Sequence, residues 1–450
     1  MGGELIVESK WQEMYRSKLK TAEEAAKYIS NGMLMASGSI NAQPQALCNA
    51  IGERMASGDL REVRFLFSLS ARPGSVHNPE LIEKMLQNGN MLDAMYAGPL
   101  ERYFMDQGSY SYVPHRLFDG PRMTARVGLD AAVMVVSPMD KHGFFSTGTN
   151  PDYVYGFIRR NPGCVILAEV NEYMPRSYGN NHFHISELTA VVENGLPLVE
   201  LPDLPLTERD EMIGQYIAER VPDGACLQLG IGGIPNAVAK YLANKKDLGI
   251  HSEMLCDSMV DLYEAGAITG NCKKLIPRKW VASFAFGSKR LYDFIAENPL
   301  VEMYDSEFVN DPYNIGLNDN AISINSTLEV DLTGQCCSDA IGNRQYSGAG
   351  GQMDFIEGTW RSKGGMAFLA LYSTYETKDG ELKSRIVPTL RENSMITTTR
   401  NDVQYIVTEY GVAWLKGFNL DQRAKALIKI SHPDFRDQLE FEARQLRYLR

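Results

Sequence analysis

Apolar and polar positions alternate along this chain in two recurring rhythms. Short, nearly continuous apolar runs, Ala131 to Val136, Cys164 to Ala168, Met366 to Leu371 and Tyr405 to Thr408, are separated by stretches with helical spacing. Such runs predict strands covered on both faces, and their alternation with helices predicts parallel sheets. The rhythm begins the same way twice. Thr21 opens a helix as N-cap with Glu24 at the capping-box position, and Asn31-Gly32 stops it. Met33 to Ser37 then reads as a buried strand, Gly38 turns the chain, and Pro44 starts the next helix at its first position. In the later half Thr207 begins the helix, Asp223-Gly224 ends it, Ala225 to Leu229 is the strand, Gly230 turns and Pro235 restarts a helix. Gly32 and Gly224 are 192 positions apart, as are Gly38 and Gly230, and Pro44 and Pro235 differ from that spacing by one.

The expected fold class is therefore α/β, with two tandem related α/β domains. The first covers 1–195 and the second 207–450, joined by a linker over 196–206, where Pro197, Pro202 and Pro205 disfavour regular structure. A sheet of this kind takes its ligands in a crevice at the carboxyl ends of its strands.

Composition narrows the function. At 450 residues the chain exceeds what one hydrophobic core usually supports. A net charge of −11 argues against a nucleic-acid surface and leaves room for a small anionic ligand held by backbone N–H groups. The 7 cysteines are odd in number and lack C-x-x-C spacing, which predicts reduced thiols in a cytoplasmic protein and neither a disulfide framework nor a zinc site. The N-terminus has no basic and apolar leader pattern, and no apolar run approaches the roughly 18 residues of a spanning helix, so no membrane association is expected.

Three segments carry candidate chemistry. Gly230-Ile231-Gly232-Gly233-Ile234-Pro235 resembles a dinucleotide fingerprint whose third glycine is replaced by proline. It reads either as a tight strand-to-helix turn or as an anion or oxyanion site at the positive end of a helix. Ser347-Gly-Ala-Gly350-Gly351-Gln-Met-Asp354-Phe355 lets the backbone approach a ligand closely, with Phe355 and Ile356 anchoring it to a core and Asp354 as a turn-capping carboxylate. Between them in sequence lies Glu253, in Gly249-Ile-His-Ser-Glu-Met-Leu-Cys-Asp257, read as a strand end, a loop and a helix capped by Asp257. Two glycine loops and a carboxylate point to acyl chemistry. His251 and Ser252 alternate direction on a strand and lack a third orienting group, and His182 with His184 makes a weak metal case.

Further segments make a resemblance recognisable. Ile324-Asn325-Ser-Thr-Leu-Glu-Val-Asp-Leu-Thr-Gly334, Ser384-Arg-Ile-Val-Pro388, Thr397-Thr-Thr-Arg-Asn-Asp-Val403 and Val407-Thr-Glu-Tyr-Gly-Val-Ala413 join the glycine loops and Gly249 to Glu253. With them the chain resembles the 4-hydroxybutyrate and butyryl coenzyme A transferases, a family related to acetyl-CoA hydrolase and transferase. The resemblance implies two CoA-transferase domains with the active site in a cleft between them. It implies transfer of CoA between a short-chain acyl-CoA and a small carboxylic acid such as acetate, butyrate or 4-hydroxybutyrate. Glu253 would be the nucleophile that becomes a glutamyl-CoA thioester in a ping-pong cycle, with Gly230, Ile231, Gly232, Gly233, Ile234, Gly350 and Gly351 lining the CoA and oxyanion site. Asn325 would orient reacting groups and Lys378 would reach a CoA phosphate. CoA thioester enters as substrate, no metal or redox cofactor is required, and a homodimer is implied. An acyl-CoA hydrolase using the same glutamate is the alternative, and a CoA-binding protein without turnover a third reading. Gln43 in Ala42-Gln43-Pro44, the stretch Ser68 to His77, and Gln404 depart from the family pattern.

Overall fold

The two halves of the chain build two sheets on one plan, as a computed structural model describing residues 9–202, 205–230 and 232–450 shows. Among these residues the first compact unit takes the chain up to Val113, Asp119–Glu200 and Ser283–Glu307, and the second takes Pro114–Phe118, Leu201–Ala282 and Phe308–Arg450. One division, between Glu200 and Leu201, falls within the expected linker over 196–206, and two further segments change units. Membership is decided by contacts distant in sequence: within the first unit the Tyr292 hydroxyl donates to Val199 O at 2.7 Å, and Ala285 N–H donates to Thr149 O at 2.8 Å. No proline-rich or glycine-rich boundary marks such a crossing. Asp203 and Leu204 of the expected linker lie outside the described residues.

In the first unit seven parallel strands form one sheet: β1 Leu34–Ser37, β2 Arg64–Ser68, β3 Met91–Tyr96, β4 Ser111–Tyr112, β5 Ala131–Val136, β6 Val165–Val170 and β7 Ala190–Glu193, in the order β7-β6-β5-β1-β2-β3-β4. Helix α1, Ala22–Ala26, carries the expected capping box between Thr21 and Glu24. Helix α2 runs Gln45–Ser57, and Pro44 is its extended N-cap residue rather than its first helical one. With no cap from a side chain at Pro44, the free N–H groups of Ala46 and Leu47 donate instead to the buried carboxylate of Glu169 on β6. Met35, Leu47, Ile51, Phe65 and Phe67 share one core cluster.

The atypical stretch Ser68 to His77 is part of this packing. Ser75 Oγ donates to the carbonyls of Cys48 and Asn49 on α2. The His77 ring lies among Phe67, Phe104 and Tyr110, and burial pulls its pKa down to about 4, so it is neutral.

The second unit repeats the arrangement. Strands β8 Cys226–Leu229, β9 Gly249–Leu255, β10 Ala321–Ser326, β11 Met366–Ala370, β12 Tyr405–Thr408 and β13 Gly411–Trp414 follow the order β13-β12-β11-β10-β8-β9. All these pairings are parallel except β12 with β13. β8 lies between β9 and β10 as β1 lies between β2 and β5, so the sequence repeat is also a repeat of topology. Helix α3, Glu208–Ala218, is closed by a capping box between Thr207 and Asp210. Helix α4, Gly233–Leu242, begins ahead of Pro235, which therefore sits in the first turn, where a missing N–H costs nothing.

Two local expectations around Glu253 are corrected. Strand β9 continues through Leu255, which leaves no room for the expected loop before the helix, and Glu253 stands near the strand end as expected. Its neighbours His251, Ser252, Met254 and Leu255 are all buried, and a strand covered on both faces has no reason to end there. Helix α5, Asp257–Glu264, takes Cys256 as N-cap, while Asp257 occupies its first turn, where a carboxylate complements the helix dipole.

Candidate active site

Three adjacent parallel strands in the order β10-β8-β9 deliver the candidate residues to their carboxyl ends. Gly230 follows the last residue of β8, Asn325 stands near the end of β10 and Glu253 near the end of β9. Gly230 N–H donates to Ile324 O at 3.3 Å, which ties the start of the glycine turn to β10.

Glu253 is partly buried, and Asn310 and Gly351 lie against its carboxylate. Asn310 Nδ2 donates to its Oε2 at 3.0 Å. Gly351, the N-cap of helix α6 (Gln352–Arg361), approaches the same oxygen so closely that a Cβ there would overlap both Glu253 Oε2 and Asn310 Nδ2. The glycine at this position is thus required by space. The positive end of α6 lies beside the carboxylate and favours its charge. Gly350 precedes it with φ +55, and its carbonyl accepts from Leu117 N–H at 3.1 Å. Phe355 and Ile356 are buried and anchor this turn as expected.

The other glycine turn has a different character. Gly232 adopts φ +117, which a side chain resists, and a Cβ there would meet nothing within 4 Å. Its backbone is open to an incoming group. At Gly233 a Cβ would strike the Asp210 carboxylate, so the start of α4 packs directly on α3. Ile234 is buried. Ile231 lies outside the described residues.

Other predicted residues fall into place unevenly. Asn325 exchanges two hydrogen bonds with Gln228 on β8, at 3.1 and 3.3 Å, so its amide is held side by side with a second one. Lys378 is exposed at the tip of a hairpin formed by Thr374–Glu376 and Leu382–Ser384, and nothing places it with Glu253. His251 and Ser252 form no nucleophile and base pair: the imidazole Nε2 is 2.8 Å from Val309 O, and Ser252 Oγ donates to Met254 O at 2.7 Å. Burial holds His251 neutral, with its pKa lowered to about 3. His184 Nδ1 pairs with Ser186 Oγ, and no group of three or more metal-ligating side chains occurs among the described residues. Gln404 accepts from Ala367 N–H at 3.0 Å and donates to Ile356 O at 3.2 Å, a buried clasp between β11 and α6.

Two residues emerge that sequence reading did not assign to the site. Asn310 is fully buried and touches Glu253 directly. Asp354, expected as a turn cap, is fully buried in the first turn of α6. Its Oδ2 accepts from Phe118 N–H at 3.1 Å and lies 3.4 Å from Asn310 Nδ2. Burial raises its pKa to about 8 and the neighbouring Glu253 charge adds to the rise, against the opposing pull of Phe118 N–H, Arg116 and Asn310. At neutral pH Asp354 therefore holds a proton. The only sequence signal for Asn310 is its place in Phe308-Val-Asn-Asp-Pro312, which reads simply as a turn before a helix.

Comparison with known proteins adds to this geometry. The acetyl-CoA hydrolase/transferase N-terminal domain model matches residues 5–200, and the C-terminal domain model of the same name matches 287–443. The chain is 48% identical over 356 residues to succinyl-CoA:cyclohexane-1-carboxylate CoA transferase of Geobacter metallireducens, covering 79% of this chain and 80% of the relative. It is 41% identical over 438 residues to 4-hydroxybutyrate coenzyme A transferase of Clostridium kluyveri, covering 96% and 99% respectively. Among solved structures, RipA from Yersinia pestis superposes with a TM-score of 0.89 at 37% identity, over 98% of this chain and 100% of that one. Among the described residues no helix is long and apolar enough to cross a membrane.

Proposed function

Because this chain belongs to the acetyl-CoA hydrolase/transferase family and is an acyl-CoA:carboxylate CoA-transferase, we propose that it carries CoA on Glu253 in a ping-pong cycle. One observation supports this most: the Glu253 carboxylate sits at a strand end with Asn310 and the glycine start of α6 pressed against one of its oxygens. A surface glutamate has no need of such neighbours.

In the first half-reaction a Glu253 oxygen attacks the acyl-CoA carbonyl carbon, the C–S bond breaks, and CoA leaves as thiolate. The product is a mixed anhydride between the acyl group and Glu253. The thiolate then attacks Cδ of Glu253 and expels the donor acid as carboxylate, leaving glutamyl-CoA. An incoming carboxylate attacks Cδ, and the same steps run in reverse to give the new acyl-CoA and free Glu253. One thioester is consumed and one formed, so its bond energy is kept. Each attack places negative charge on an oxygen, which a preorganised donor stabilises by about 3 kcal/mol. Backbone N–H groups of Gly232, Gly233 and Ile234, with Gly350 and Gly351, serve that purpose and hold the CoA.

The acids are short carboxylates such as acetate, butyrate or 4-hydroxybutyrate. The name of the Geobacter relative makes cyclohexane-1-carboxylate a necessary member of any panel. The enzyme works in the cytoplasm, where its seven free thiols stay reduced, as a homodimer.

Incubation with acyl-CoA and no acceptor acid is expected to add CoA to the peptide containing Glu253, and Glu253→Ala is expected to abolish both adduct and transfer. An unmodified peptide, with transfer intact in Glu253→Ala, overturns the mechanism. Acyl-CoA loss in water at a rate independent of added acid would instead make the enzyme a hydrolase.

A further inference from the structure

We propose that Arg116-Leu117-Phe118 is a positioning segment of the transfer reaction: it holds the start of α6 so that Gly351 stays against Glu253, with the Leu117 N–H as its principal contact. This assignment rests on Glu253 being the nucleophile.

The start of α6 combines great backbone freedom with little spatial tolerance. Three of the four residues from Gly348 to Gly351 are glycines, which lose more conformational freedom on ordering than any other residue. Gly350 takes φ +55, and Gly351 as N-cap has no side chain with which to close the helix. Yet Gly351 packs so tightly on Glu253 Oε2 that a single methyl group would not fit between them. A turn this free must be fastened from outside if the carboxylate is to meet it in one geometry.

The fastening comes from three consecutive residues. Leu117 N–H donates to Gly350 O at 3.1 Å, Phe118 N–H donates to Asp354 Oδ2 at 3.1 Å, and Arg116 Nη1 donates to Glu357 Oε2 at 3.1 Å. Positions 350, 354 and 357 are spaced by four and then three, so the contacts follow one face of the helix from its start. Two of the three donors are backbone N–H groups, which no side-chain pattern announces. Leu117 itself is buried, and its side chain anchors the segment. Glu357 also accepts from Arg361 at 2.7 Å, and the Arg116 pair is half-exposed, which makes it the weakest of the three contacts. Gly350 adjoins Gly351, so the Leu117 contact acts nearest the nucleophile. Before Leu201, Pro114–Phe118 is the one stretch that belongs to the second unit. The unit that carries Glu253 thus takes this support from the first half of the sequence.

The test reads the rate at which acyl-CoA forms the Glu253 adduct, with kcat, KM and melting temperature. Leu117 is replaced by its α-hydroxy analogue through nonsense suppression, which exchanges the N–H for an ester oxygen and keeps the side chain. Adduct formation and kcat are expected to fall about tenfold, with KM for acyl-CoA nearly unchanged. A purely structural role would lower the melting temperature and leave the adduct rate of the folded enzyme intact. In Gly351→Ala, where the contact with Glu253 is already spoiled, the same exchange should cost no further rate. Should the ester-containing chain fail to fold, Arg116→Ala carries the test, with adduct formation expected to be about threefold slower at an unchanged melting temperature. A folded ester variant, or in its place a folded Arg116→Ala, that forms the adduct at the wild-type rate overturns the assignment. Losses that multiply with Gly351→Ala overturn it too, and both results leave Glu253 as nucleophile untouched. A wild-type enzyme that turns over without any Glu253 adduct overturns both readings.

Discussion

The turn after β1 and the turn after β8 occupy equivalent places in two sheets of the same plan, and they have been put to opposite uses. In the first unit the turn is filled. A Cβ on Gly38 would collide with the backbone of Ala42, Ala42 O accepts from Val135 N–H, Ser39 bonds the buried Asp152, and Gln43 donates to Ser70. In the second unit the turn stands open at Gly232. The adjoining strands diverge likewise: β2 carries Phe65 and Phe67 into an aromatic core, whereas β9 carries Glu253 to a strand end beside Gly351. A repeated α/β plan thus supplies the same turn twice, and one copy is closed by packing while the other stands open.

The contrast is broken most severely at Glu253. Glu253→Ala should lower kcat by on the order of 10⁴-fold or more, as loss of a covalent nucleophile does, with the melting temperature little changed. A loss below tenfold would make the open copy no more catalytic than the filled one. Matched glycine substitutions come next. Gly351→Ala drives a methyl group into the Glu253 carboxylate and should cost about 100-fold in kcat, measured by steady-state transfer. Gly38→Ala should instead cost about 2 kcal/mol of stability by denaturant unfolding, because it overpacks a closed turn, and leave kcat of the folded protein nearly unchanged.

Asp354 sharpens the comparison through pH. Burial raises its pKa in the fold to about 8, well above the ordinary carboxylate range near 4, so folding takes up a proton between those values. Below about pH 4 the group is protonated in both states and contributes no difference; as pH rises toward 8 it progressively destabilises the fold. Asp354→Asn removes the titration and should raise stability by on the order of a few kcal/mol at pH 8 but not at pH 4, by unfolding curves at both. A wild-type and variant pair with parallel pH profiles would show that Asp354 is ionised. The smallest effect is expected at Gly232→Ala, about 1 kcal/mol of backbone strain and a raised KM for acyl-CoA with kcat retained.

The parts of this molecule legible in sequence are those that local chemistry decides. The capping box at Thr21, the helix start at Thr207 and the apolar runs that became β5 and β11 depend on neighbours a few residues away. So does the close approach of backbone at Gly351, since three glycines in four residues have few other uses. What was not legible depends on residues brought together from afar. Asp354 looks like a turn cap until Phe118 and Asn310, 236 and 44 positions away, are set against it. The end of β9 was misplaced because the burial that prolongs the strand comes from the rest of the unit. The exchange of Pro114–Phe118 and Ser283–Glu307 between units leaves no local mark for the same reason.

The central claim is that the carboxylate of Glu253 becomes covalently linked to CoA. Acyl-CoA mixed with enzyme in the absence of acceptor, followed by peptide mass measurement, should show CoA joined through a thioester to the Glu253 peptide, released again on adding a carboxylic acid. A Glu253 peptide of unchanged mass in enzyme that is actively exchanging CoA would contradict it.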